Sequence, residues 1–318
     1  MRWSLPLIRR RTPIHLGVDI GRSGVRLVAL APGPTPRLVG WSSQPGPEQP
    51  GDGQAKPDRE WLLTALDQAA AEIDIHDPIA AVAVPVEGIA TRSVSLPPGI
   101  SHRAVDTRIG LAMAELLPES VSDFCVDYRV DDSALDAHDN RPWQVVAGRR
   151  SHVAWRIEAM KALGWRCPLV DVESHAIARA LRLSAADGHE GITGVVDAGY
   201  RLRFSVCDGD SLIHDQDHGP PQPDTPDAVA QRIGLALSVY QGLDHARAVD
   251  RILLVGGRAC PPLAESLAQR TGLPTRIAEP FSALSAEDSD PARIAQPHRY
   301  PVALGLALHL GSCHAHWR

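Results

Sequence analysis

One short pattern, an Asp-x-Gly step closing an apolar run, occurs twice in this chain and limits its possible folds more than any other feature. Asp19-Ile20-Gly21 ends the apolar run Ile14 to Ile20 (IHLGVDI), and Asp197-Ala198-Gly199 ends another that begins at Gly194. The two aspartates lie 178 positions apart. The segments downstream of them are alike. After the first come a glycine-bearing turn (Gly21, Arg22, Ser23, Gly24), a strand pattern over Val25 to Leu30 and a third near Arg37 to Trp41. Asp58 then caps a helix with Trp61, Leu62, Ala65, Leu66, Ala69 and Ile73 on one face, and Ile79 to Val84 reads as a buried strand. After the second come a strand near Arg203 to Cys207, a turn at Asp208-Gly209-Asp210 into another strand, and a helix opened by Asp227. That helix carries Val229, Ile233, Leu237 and Tyr240 on one face, and the strand Arg251 to Val255 ends in Gly256-Gly257. Each copy therefore reads β-β-β-α-β.

The continuations also correspond. Pro168 to Val172 leads into a helix over Ser174 to Leu183, and Thr275 to Ala278 leads through a loop into a helix over Val302 to Leu310. Glu87 to Arg150 reads as an inserted α/β unit, with strands near Thr91 to Leu96, Phe124 to Val130 and Trp143 to Ala147. Its helix is capped by Ser101 and faces its core with Val105, Ile109, Ala112 and Leu116. Asp131 to Arg141 is its polar loop. Trp41 to Pro57 and the proline-rich His218 to Pro226 read as irregular. The expected division is a tail over 1–12 and a first half over 13–86, continued by 151–186 and by the C-terminal helix 301–311. An inserted subdomain occupies 87–150, and a second half 187–300.

Two facing α/β halves place both Asp-x-Gly turns at one central cleft. A glycine at such a turn lets backbone N–H groups approach a phosphate, and the aspartate can hold a hydrated Mg²⁺. A single Asp-x-Gly is also an ordinary hairpin turn; the pairing at equivalent points gives it meaning.

Composition removes other classes. With 318 residues, 44% hydrophobic and 22% charged, the chain is too apolar to be disordered and long enough for a core. A net charge of −6 argues against a generic nucleic-acid binder. No apolar run reaches the ~18 residues of a membrane span. The five cysteines are scattered without CxxC spacing, which fits a reducing compartment. The N-terminal MRWSLPLIRRRTP lacks a signal-peptide core, so a cytosolic location is expected; its arginines are either a solvated tail or a contact with an anionic membrane surface. His214, His218, His309, His314 and His316 read as surface or tail residues. HExxH, Gly-x-Ser-x-Gly and Walker A lysine motifs do not occur.

Several stretches carry a resemblance: GVDIGRSGVRLVAL from Gly17, AVAVP from Ala81, and VVAGRRSHVAWRIEAMKALGWRCPLVDVESHAIARAL from Val145. VVDAG from Val195, RILLVGGRA from Arg251 and PVALGLAL from Pro301 continue it. On these the chain resembles the PilM family of type IV pilus assembly proteins, within the actin, heat-shock chaperone and sugar-kinase superfamily. The resemblance implies an actin-like fold of two RNase H-like halves, with an inserted small α/β subdomain like that of the division protein FtsA.

The resemblance also implies roles. Asp19, Gly21 and Ser23 match the first phosphate loop and Arg26 stands where the family has a lysine. Asp197 and Gly199 match the second loop, and Gly256 and Gly257 the adenosine-side turn. Asp19 and Asp197 are the candidate Mg²⁺ ligands. Glu173 matches a water-orienting acid and reads equally as a helix N-terminal carboxylate. Departures stand beside these matches. Arg22 and Gly24 replace hydroxyl residues, the second loop continues with Tyr200, Arg201, Leu202 and Arg203, and the nucleotide-covering part of the second half is short for the family. Arg22, Arg26, Arg201 and Arg203 either attract phosphate or are solvated. The expected function is a scaffold on the cytoplasmic face of the inner membrane. It would bind the cytoplasmic N-terminal tail of PilN and other proteins of the pilus inner-membrane complex, with ATP and Mg²⁺ as cofactors either retained or lost. The family's groove lies between the first half and the insertion, where Val82 to Val86 and Val145 to Arg149 are the nearest candidates and read equally as buried strands. The alternatives are an active actin-like ATPase or small-molecule kinase, or the cytoplasmic part of a type II secretion L-type protein, which would be expected to continue into a membrane span.

Overall fold

A computed structural model describes residues 13–47, 58–130, 139–184, 191–209, 211–244, 246–284 and 291–315. The N-terminal basic tail, His316 and most of the Asp131 to Arg141 loop lie outside these residues.

The two copies of the sequence pattern form two five-stranded sheets of identical order. The first contains β1 (His15–Gly21), β2 (Gly24–Ala31), β3 (Arg37–Pro45), β4 (Ile79–Val84) and β8 (Arg166–Val172), in the order β3-β2-β1-β4-β8. The second contains β9 (Ile192–Ala198), β10 (Leu202–Asp208), β11 (Ser211–Asp217), β12 (Arg251–Val255) and β13 (Thr275–Ile277), in the order β11-β10-β9-β12-β13. In each, the first three strands are antiparallel and the last two run parallel to the first. Helices α1 (Arg59–Ile73) and α3 (Arg150–Ala162) belong to the first sheet, α5 (Pro226–Gln241) and α6 (Pro261–Thr271) to the second. The insertion builds a third sheet, β5 (Ile89–Leu96), β7 (Arg141–Arg149) and β6 (Phe124–Val130), under helix α2 (His102–Leu116).

The last helix of each half crosses to the other. Helix α7 (Pro301–Ala315) follows the second sheet but packs on β1, β2 and β4 of the first. Helix α4 (Glu173–Ser184) follows the first sheet and sets Ile177, Ala178 and Leu181 against Val195, Leu253 and Val255 of the second. Two glycines permit the close crossing. A Cβ on Gly17 would lie 1.8 Å from the Ala303 carbonyl oxygen, and one on Gly305 would lie 1.8 Å from that of Ala176. Asp171 ties the crossing together, bonded to His309 Nδ1 at 2.7 Å and to Arg179 at 2.9 Å. His309 is therefore an interface residue rather than a surface one. His214 also departs from expectation, with its ring 5.0 Å from that of Tyr240 and 6.2 Å from that of Phe204.

Three local expectations are corrected and one open choice is decided. Strand β3 does not stop at Trp41 but continues through Pro45, because its polar residues anchor on α1: Ser42 donates to the Ala69 carbonyl at 2.6 Å and Gln44 to Glu72 at 2.6 Å. The core face of α2 is Val105, Ile109 and Met113, followed by Leu117; Leu116 is exposed and Ala112 only half-buried. Pro226 is not irregular but opens α5, at a position where the missing N–H is not needed, while Thr225 accepts from the Ala228 amide. Val82 and Val84 lie buried in β4, and Val145 and Ala147 in β7. Those positions are core strands.

Candidate functional site

Strand register brings the two Asp-x-Gly turns together. Asp19 lies near the end of β1, directly opposite Arg26 of β2, and Gly21 pairs with Gly24 to leave a two-residue turn of Arg22 and Ser23. Asp197 lies at the same place in β9, directly opposite Arg203 of β10, and the turn there is Gly199, Tyr200 and Arg201. The ends of β1 and β9 open onto one cleft of about 670 Å³. All nine candidate residues line it: Asp19, Gly21, Ser23, Arg26, Glu173, Asp197, Gly199, Gly256 and Gly257.

Packing explains several of these positions. Gly256 has a φ of +89°, which favours glycine, and a Cβ there would lie 2.4 Å from Asp197 Oδ1 and 2.7 Å from the Gly199 amide nitrogen. The turn after β12 thus nests against the turn after β9, fastened by the Arg258 amide donating to the Ala198 carbonyl at 2.8 Å. The two hairpins also touch, since the Arg22 guanidinium lies 4.7 Å from the centre of the Tyr200 ring. Arg201 forks onto Asp217 of β11, and its Nε lies 3.7 Å from Glu87 at the start of the insertion.

The electrostatics are dominated by buried charge. Arg26 donates to Asp19 at 3.2 Å and to Ser23 Oγ at 2.8 Å, and both members of the ion pair are buried. Arg203 is buried too, but bonds Asp215 at 3.4 Å, while Ser205 donates to the other oxygen of Asp215 at 2.7 Å. Arg26 and Arg203 are therefore not solvated side chains. Burial raises Asp19 despite Arg26, and raises Asp197 to about 6 against the pull of Arg203. Burial, with Asp19 and Asp197 nearby, pushes Glu173 up to about 8, so it keeps its proton at neutral pH.

Sequence reasoning missed a further group. Helix α3 contributes His152, Trp155 and Arg156, its approach contributes Arg149, and Arg299 precedes α7. Arg156 is only 6% exposed; it donates to the His152 carbonyl at 3.2 Å, stands 5.4 Å from the Trp155 ring, and has an Nε without a partner. The available signal was a helix whose apolar periodicity is interrupted by an inward arginine.

The donor set suits an anion better than a hard cation. A Mg²⁺ ion needs about six oxygen ligands in near-octahedral geometry. Here the Asp19 carboxylate is engaged by Arg26, and among the described residues no three acidic, histidine or cysteine side chains group to hold a metal. No described helix is long and apolar enough to cross a membrane.

Comparison with known proteins agrees with this architecture. In solved structures the chain is similar to the PilM–PilN type IV pilus biogenesis complex, at 18% identity and a TM-score of 0.78, over 95% of this chain and 99% of that one. It is also similar to the cytoplasmic domain of EpsL, an inner-membrane component of the type II secretion system of Vibrio cholerae. That match has 13% identity and a TM-score of 0.51, over 94% of each chain. A third match is the inorganic polyphosphate/ATP-glucomannokinase of Arthrobacter sp. strain KM, at 13% identity and a TM-score of 0.50, over 95% of this chain and 100% of that one. These likenesses establish an actin-like fold. No curated protein sequence matches the chain. A family model described as type IV pilus assembly protein PilM matches residues 17–222 and 225–310. Spanning both Asp-x-Gly turns, the insertion and the crossed helices, that match makes the chain a member of the PilM family of type IV pilus assembly proteins.

Proposed function

We propose that the chain is a cytoplasmic scaffold of the pilus inner-membrane complex, holding the N-terminal tail of a PilN-type membrane protein. The main support is the similarity, over nearly the whole of both chains, to a structure described as a PilM–PilN complex. Such a protein would reach the inner membrane through its partners and contact other members of the complex. The insertion supplies a suitable place for an extended peptide. Its sheet is covered by α2 on one face, while Thr91, Ser93 and Ser95 stand exposed on the other. It meets the first half at a close-packed joint, where a Cβ on Gly88 would lie 2.5 Å from His152, and Gly148 stands in ordinary contact with Val153. Rigid walls of this kind capture a peptide at low ordering cost.

On this reading the cleft between the halves is a nucleotide-site remnant. Asp19, Gly21, Ser23 and Arg26 form one wall, Asp197 and Gly199 the other, and Gly256 and Gly257 the far turn. Glu173 keeps its proton at neutral pH, so only its minor ionised fraction is available there to accept a proton from water. A synthetic PilN tail should co-purify with the full chain. Its failure to bind at tens of micromolar, with and without ATP, would refute the scaffold. The competing reading is an active ATPase or kinase, favoured by the paired turns; Mg²⁺-dependent phosphate release lost in Asp19→Ala would establish it.

A further inference from the structure

We infer that the cleft binds a di- or triphosphate anion through its arginines alone, with guanidinium groups in the place of a divalent cation. This rests on reading the cleft as a phosphate site and goes beyond it in naming the ligand's ionic form. The first observation is charge. Seven arginines and four acidic side chains line the cleft. Arg149, Arg201 and Arg203 are matched by Glu119, Asp217 and Asp215 beside it, which leaves Arg22, Arg26, Arg156 and Arg299 against Asp19, Asp197 and Glu87, with Glu173 protonated. A bound dication would add to that positive surplus, whereas a metal-free triphosphate offsets it.

The second observation is strand register. Each aspartate that a metal would require has an arginine directly opposite on the neighbouring strand, Arg26 for Asp19 and Arg203 for Asp197. Arg26 already occupies Asp19 at 3.2 Å within the buried interior. A cation taking that carboxylate would strand a buried guanidinium. Arg203 is held in place by Asp215 of the next strand. The duplicated scaffold therefore presents one closed pair, Asp19 with Arg26, and one acid, Asp197, that faces an arginine bonded to Asp215.

The third observation points to a ligand directly. Arg156 is more than nine-tenths buried, lines the cleft, and has an Nε with no partner. Arg299, beside Gly257, also has a buried Nε without one. A buried N–H without an acceptor is costly, and native structures seldom keep one. Phosphate oxygens are acceptors of the right charge, and planar guanidinium groups bind them through paired hydrogen bonds.

The test is calorimetric titration of the full chain with ATP and, separately, with inorganic tripolyphosphate, each in EDTA and in excess Mg²⁺. The inference predicts binding in EDTA at least as tight as in Mg²⁺. It also predicts about a tenfold or greater loss of metal-free affinity in Arg156→Gln and in Arg299→Gln. Urea midpoints report whether each variant folds, and Arg299→Gln decides the matter if Arg156→Gln does not. Tenfold tighter binding with Mg²⁺ overturns the inference and leaves the nucleotide-site reading standing. Metal-free binding that both folded variants retain unchanged overturns the role of the arginines. Absence of binding in either buffer overturns the inference and the nucleotide-site reading together.

Discussion

The two halves put an aspartate and an arginine at the same two strand positions and use them differently. In the first, Arg26 turns back to Asp19 across the β1–β2 pair; in the second, Arg203 turns outward to Asp215 of β11. The outer strand makes the difference. β3 offers Ser43 opposite Arg26, whereas β11 carries Asp215 and Asp217 beside Arg203 and Arg201. The duplicated backbone fixes where charges stand, and the third strand decides which acid each arginine serves.

The halves differ again two residues before each aspartate, and this gives the largest expected effect. That position is Gly17 in β1 and Val195 in β9. Val195 packs against α4, whereas Gly17 admits the backbone of α7. Gly17→Val, which gives the first half the second half's residue, forces a branched side chain into the Ala303 carbonyl. It should cost more than about 4 kcal/mol or prevent soluble accumulation, as read by urea unfolding. Near-normal stability would break the asymmetry between the crossing helices.

The acid–arginine pairs come next. Asp19→Ala leaves Arg26 buried beside Ser23 alone and should cost about 3 kcal/mol. Asp197→Ala leaves Arg203 its bond to Asp215 and should cost less than about 1 kcal/mol. Equal losses in urea melts would show that the two pairs are equivalent after all.

A pH effect isolates Glu173, which faces Asp19, Asp197, Glu87 and Arg203. Its native carboxyl keeps its proton up to about 8, while the unfolded chain releases it near 4.5. Stability from this group is present below 4.5 and is lost as pH rises towards 8. Glu173→Gln mimics the protonated form, so its melting temperature should match the parent's in acid and pull ahead between pH ~5 and about 8. A gap that shrinks with rising pH would contradict the assignment. The smallest effect is expected at the turn, where Arg201→Gln removes a half-buried pair to Asp217 and should cost about 0.5–1 kcal/mol.

Much of this could be read from residue order. The Asp-x-Gly repeat located both hairpins, and the glycine pairs located the turns that meet in the cleft. The arginines of the α3 side could not be found that way. Arg156 is a charged residue on a buried face, so it weakens the 3.6-residue pattern that would have oriented the helix. The crossing of α7 matches the expected division of the chain, but that of α4 onto the second sheet was hidden, because apolar periodicity marks a buried face without naming the sheet it covers. Strand β3 outran its apolar stretch since Ser42 and Gln44 are held by hydrogen bonds to α1, which no hydrophobic pattern records.

The central claim is that Asp19 is committed to Arg26, and Asp197 set facing an arginine, in a binding scaffold rather than a catalytic metal site. Steady-state phosphate release from Mg²⁺-ATP tests it most directly, on the full chain with and without a saturating PilN tail peptide. The account predicts release no greater than that of Asp19→Asn and Asp197→Asn. Release well above that background, dependent on Mg²⁺ and abolished by either substitution, would contradict it.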